Sequence, residues 1–214
     1  MTEPTERFFE LLAEVPVPGD AEYLYGPDDL GRLRERNLRR YLDAVGEPRV
    51  LLLAEAPGWR GMTVTGVPFV SVREVTAARE ATVPTRAALL SGLELPQEPA
   101  AMWEASSAVV WSTLAGWRGP LPLSWPIYPH HPFVAGDPRT NRTPRPAEVR
   151  AGTPVALELA RSFGIETIVA VGRKAQGALA AEGVAAPAVR HPAQGGARLF
   201  AEQLIALNQA AAGG

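Results

Sequence analysis

Two side chains in this sequence stand where they could do acid–base work. Glu55 closes the apolar run Val50–Ala54 and is followed at once by Ala56-Pro57-Gly58, so a buried strand ends in a carboxylate and a turn. His191 stands before Pro192, just after the short segment Ala188–Arg190. Brought to one site, a carboxylate can orient a water and an imidazole can stabilise a leaving anion. Held apart, Glu55 is a strand-end acid pairing with an arginine, and His191 is a satisfied turn histidine. His130 and His131 are a further pair, but adjacent side chains diverge unless a loop bends them together. With no third ligand in view, no metal site is expected there.

Glu55 and His191 can meet only if the elements between them form a parallel sheet. Glu6–Glu14 has helical apolar spacing ended by Pro16 and Pro18, a loop covers Pro16–Gly26, and Asp28 and Asp29 open a helix to about Val45. Arg32, Arg34, Arg36, Arg39 and Arg40 crowd that helix, either as a solvated face or facing phosphates. Val50–Ala54 reads as the first strand. Ser71–Leu93 reads as helix with breaks, Pro96–Pro99 as loop, and Met102–Ala115 as a helix in which Val109-Val110-Trp111 would also pass for a strand. Leu121–Tyr128 is the second strand, Glu148–Phe163 a helix after Pro146, and Ile165–Val171 the third strand. A helix over Arg173–Ala181, a fourth strand over Ala188–Arg190 and a last helix from Gly195-Gly196 to about Ala211 complete the chain. This alternation predicts an α/β fold, a three-layer α/β/α sandwich with a central four-stranded parallel sheet, as one domain over residues 1–214. Residues just past the strand ends then share one crevice: Glu55, the Tyr128–Phe133 loop, Gly172 and His191.

Composition narrows the chemistry. The 214 residues are 46% apolar with a net charge of −2, enough for a full core and silent about a polyanion partner. The absence of cysteine excludes disulfides, thiolate zinc sites and cysteine-ligated iron–sulfur clusters. No apolar stretch is long enough to span a bilayer and the acidic N-terminus is no signal peptide, so a cytoplasmic protein without membrane contact is expected. Lys174 is the single lysine, placed by this reading at a helix start on the far side of a turn from the pocket. Trp59 is expected near the pocket, and Trp103, Trp111 and Trp117 in the core.

Four segments in order carry a resemblance. AEAPG followed by TGVPFVS, NRTPRPAE before a helix, IVAVGRKA, and RHPAQGGARLF together resemble the uracil-DNA glycosylase superfamily, in a cluster-free branch with a GEAPG-type first motif. The resemblance runs from about Val50 to Phe200. It implies that Glu55 positions or activates the attacking water and that His191 donates to the base oxygen that gains charge. Phe69 would stack on an extruded base, with Ala56, Pro126 and Tyr128 completing the base pocket. Contacts to DNA would come from Gly58, Ser71, Asn141, Arg142, Pro192, Ala193, Gly195 and Gly196, the loop Ala193–Arg198 entering the minor groove.

The implied activity is monofunctional removal of a deaminated base, uracil foremost, from DNA, leaving an abasic site, with no cofactor and the protein acting as a monomer. The chain departs from the pattern at three positions. Pro126 stands where relatives carry an asparagine that reads uracil, and proline has no amide to offer. Ala54 replaces a glycine, and Ala193 a serine. Those departures leave other readings open: a glycosylase re-specified for a base such as hypoxanthine, a catalytically weak module that binds or senses DNA damage, or a small-molecule N-ribosyl hydrolase.

Overall fold

The computed structural model describes residues 5–80 and 84–212, so residues 81–83 of the expected Ser71–Leu93 helical stretch lie outside the described residues. The elements in order are α1 (Glu6–Glu14), β1 (Ala21–Glu22), α2 (Asp29–Ala44), β2 (Val50–Ala54), α3 (Met62–Thr65), α4 (Val72–Arg79), α5 (Pro84–Leu90), α6 (Ala105–Leu114), β3 (Leu123–Pro126), β4 (His131–Pro132), α7 (Pro146–Ser162), β5 (Thr167–Val171), α8 (Arg173–Ala181), β6 (Ala188–Val189) and α9 (Ala197–Ala212).

The central sheet has the order β3-β2-β5-β6 and every pairing in it is parallel. Helices flank it, as the alternation requires: α1 and α8 pack on α7, and α4 and α9 on α6. From β2 the chain first goes to β3 on one side and later to β5 on the other. Where the connections diverge in this way, the strands' C-terminal ends leave a crevice open between the outgoing loops. The two middle strands are apolar on both faces, with Leu51, Leu52, Leu53, Val169, Ala170 and Val171 all buried. Pro126 ends β3, an edge strand, where a missing N–H disturbs no second neighbour.

Val109-Val110-Trp111 is helical, within α6, because Val110, Trp111 and Leu114 form one buried face. Two short strands were not foreseen: β1 pairs antiparallel with β4, which fastens the expected Pro16–Gly26 loop to the His130-His131 loop.

The arginines of α2 are committed inside the protein. Arg34 is buried, donating to the carbonyls of Thr63 (2.6 Å) and Leu24 (3.4 Å) and pairing with Glu22 (2.7 Å). Arg36 and Arg40 both pair with Glu94, Arg32 with Asp29, and Arg39 pairs with Glu35 while covering the Phe9 ring. This helix therefore offers phosphates few uncommitted cations.

Candidate active site

A cavity of about 430 Å³ opens at the C-terminal ends of the strands. Each strand delivers one part of its wall: Glu55 and Ala56 follow β2, Pro126 ends β3, Gly172 follows β5, and His191 follows β6. Phe69, Gly58, Asn141, Arg142 and Ala193 complete the set of predicted residues that line it. The sheet pairing continues beyond the strands and fixes the floor: the N–H groups of Ile127 and Tyr128 donate to the carbonyls of Ala54 (2.8 Å) and Glu55 (3.2 Å), and Gly172 donates to Val189 (2.9 Å).

His191 is held in one tautomer. The backbone N–H of Ala193 donates to His191 Nδ1 at 3.1 Å, so Nδ1 is the acceptor and, in the neutral ring, the proton sits on Nε2. Burial, helped by the neighbouring Arg190 charge, pushes the imidazole down to about 4. At neutral pH His191 is thus an uncharged Nε2–H donor in the crevice. The turn that supplies the Ala193 N–H depends on Gln194 and Gly195, both with left-handed φ (52° and 75°). Gly196 packs so closely on the His191 carbonyl that a Cβ there would collide with backbone.

Phe69 is also held under strain. Its φ is +55°, a conformation that costs a non-glycine residue about 1–3 kcal/mol. The Trp111 indole N–H donates to the Phe69 carbonyl at 2.8 Å and secures it.

The structure does not bring every expected residue to the crevice. Tyr128 is fully buried and its hydroxyl donates to the Pro16 carbonyl (3.1 Å), so it ties the β3 loop to the segment after α1 and does not face a base. Ser71 is buried at the start of α4, where its backbone N–H and hydroxyl both donate to Glu74. Pro192 is buried beneath its loop. Arg142 lines the cavity, but its donors are taken by Glu148 (2.8 Å at both oxygens) and by the carbonyls of Phe133, Thr143 and Asp20. It braces the 136–146 segment against α7. Asn141 accepts from the Trp59 N–H (3.0 Å) and joins that segment to the loop after β2. His131 sets its two ring nitrogens against the carbonyls of Pro57 and Pro138, while His130 is buried with neither nitrogen partnered. Among the described residues no three His, Asp or Glu side chains gather as metal ligands.

Several residues without a role in the sequence-based reading of the site belong to it. Lys174 lines the crevice, contrary to its expected position, because α8 starts at the C-terminal end of β5 and a helix that follows a parallel strand begins on the crevice side. Arg173 and Arg190 line it too, and all three cations are exposed and outside the ion pairs found among the described residues. The Gly-Arg-Lys run after an apolar strand was the available signal. Glu104, from the N-terminus of α6, is a second carboxylate in the wall. Trp103 is 43% exposed, and so not in the core.

No family model matches the chain, and no curated protein does. Among solved structures it is similar to the crystal structure of wild-type Pedobacter heparinus SMUG2, at a TM-score of 0.67 and 15% sequence identity, with all of both chains covered. At that identity the likeness establishes the fold alone, which in this protein is a four-stranded parallel sheet flanked by helices.

Proposed function

We propose that this protein is a DNA glycosylase that hydrolyses the N-glycosidic bond of a deaminated base, uracil foremost, and leaves an abasic site. The observation that carries the reading is the convergence of Glu55, Phe69 and His191 on one crevice from three separate loops. In the reaction an extruded nucleotide stacks its base on Phe69. As the C1′–N bond breaks, its electron pair moves onto the base, and the charge gathering on the base oxygen meets the Nε2–H of neutral His191. The carboxylate of Glu55 stabilises the cation-like sugar and takes a proton from the water that bonds to C1′. The departing base anion takes up a proton from solvent and Glu55 releases its own to solvent, so the products are an abasic sugar and the neutral free base. Arg173, Lys174 and Arg190 at the rim hold the flanking phosphates. The likeness to SMUG2 supports this reading through the fold.

Pro126 in the crevice wall favours one variant of the reading, a pocket re-specified for another base such as hypoxanthine. Alkali-revealed cleavage of end-labelled oligonucleotides separates these. They carry uracil, hypoxanthine or xanthine, single-stranded and opposite each normal base, with Glu55→Gln and His191→Ala alongside. Uracil excision lost in both variants supports the first reading, and excision confined to a purine supports the second. Binding without excision of any base assigns the protein to damage recognition.

A further inference from the structure

Glu104 stands at the N-cap of α6, the helix whose Trp111 secures Phe69. Its carboxyl occupies the space that a side chain at Gly58 or Gly61 would take, beneath the loop that follows Glu55. Ser107 Oγ donates to its Oε2 at 2.6 Å, and no cation pairs with it among the described residues. A carboxyl buried without a cation holds its proton more readily than an exposed one. Here burial, opposed by the Ser107 hydrogen bond and assisted by the charge of Glu74 on α4, raises it to about 7.

A protonated carboxyl presents one O–H donor and one C=O acceptor, the same pair that an asparagine amide presents. The Pro126 side chain offers the crevice neither. Asn141 and Gln194 carry amides but are exposed, and the Asn141 oxygen is tied to the Trp59 N–H. Glu104 is the more enclosed group, and it faces the same cavity as Phe69 and His191.

We propose that Glu104, in its acid form, reads the extruded base, donating to a base carbonyl and accepting from an imide N–H in place of the amide missing at Pro126. This assignment rests on the glycosylase reading. It makes Glu104 the residue that sets base specificity, distinct from the water-directing Glu55.

The test is the pH profile of kcat/KM on a uracil-containing duplex, for wild type, E104Q, E104A and S107A, with thermal melting and affinity for an abasic duplex measured on each. Wild-type excision should fall as pH rises through about 7. E104Q, a neutral isostere with the same donor and acceptor, should keep excision and lose that fall. E104A should lose at least ~10-fold below about pH 7, where wild type carries the acid form, with the gap closing as pH rises, while holding the abasic duplex as before. S107A should move the alkaline limb upward, because the lost hydrogen bond favours the ionised form. A well-folded E104A that excises like wild type, or an E104Q with the wild-type alkaline limb, overturns the proposal alone. If E104A does not fold, the E104Q and S107A profiles decide. A wild type that excises no base overturns the glycosylase reading and this proposal with it.

Discussion

The indole N–H of Trp111 donates to the carbonyl of Phe69 at 2.8 Å, which joins the buried face of α6 to the strained residue proposed to stack on the base. Trp111→Phe keeps most of the apolar volume but leaves that carbonyl without its partner. We expect a loss of about 1–3 kcal/mol in stability, the cost of an unsatisfied buried polar group. The relaxed Phe69 should also raise KM for base excision more than it lowers kcat. Chemical denaturation and steady-state kinetics on the same preparation check both.

His191 gains its proton only as pH falls to about 4, since burial and the Arg190 charge both disfavour the imidazolium. Excision should therefore show no acid limb from this residue near the ordinary histidine range. His191→Ala should lower kcat by about 10²–10³-fold, as expected for removal of a preorganised donor to a developing anion. A limb near pH 6.5 that vanishes in this variant would count against the neutral tautomer.

His130 bears on stability. It is fully buried with both nitrogens unpartnered, packed edge-on to Tyr23 and Tyr128, and burial lowers it to about 4. Between the ordinary value of 6.5 and about 4, the unfolded chain binds a proton that the folded chain does not. Its contribution is thus present above pH 6.5 and lost as pH falls through that window, by at most about 3 kcal/mol at 1.36 kcal/mol per unit. His130→Phe should remove this part of the acid destabilisation. Urea melts at neutral pH and near pH 4.5 measure the difference.

Binding to DNA should depend on the crevice rim and not on α2. Replacing Arg173, Lys174 or Arg190 by Gln should weaken duplex binding and reduce the slope of log K against log salt by about 1 for each phosphate no longer neutralised. The Arg36→Gln and Arg40→Gln proteins should keep the wild-type slope, since both side chains are spent on Glu94. Borohydride trapping on a uracil or abasic duplex tests the neighbouring question at Lys174. A monofunctional enzyme gives no trapped complex, and a complex that disappears in Lys174→Gln would identify a lyase.

Arg142 should act on the fold. Its pair with Glu148 is largely sequestered, with side-chain exposures of 17% and 6%. Breaking such a pair at one partner strands the other charge and costs about 3–5 kcal/mol. Arg142→Ala should lower the melting temperature markedly, while the salt slope of whatever DNA binding remains stays at the wild-type value.

The sequence by itself determined the order of the central strands and the main helices, because hydrophobic period and turn residues are local. Glu6–Glu14, Val50–Ala54 and Arg173–Ala181 have their expected bounds, and the four strands form the expected parallel sheet. Glu55, Gly172 and His191 meet for the same reason: a parallel sheet sends the residue after each strand to one edge. What only the tertiary structure decided is how each polar group spends its hydrogen bonds. Arg36, Arg40 and Arg142 look identical in sequence to Arg173 and Arg190, yet the first two are consumed by Glu94 and the third by Asp20 and Glu148, while Arg173 and Arg190 are left at the rim. Tyr128 and Ser71 sit beside motif residues but turn inward to Pro16 and Glu74. Glu104 belongs to no motif and enters the crevice because α6 packs its N-terminus under Gly58 and Gly61. Burial and partner supply are properties of distant segments meeting, and no local pattern encodes them.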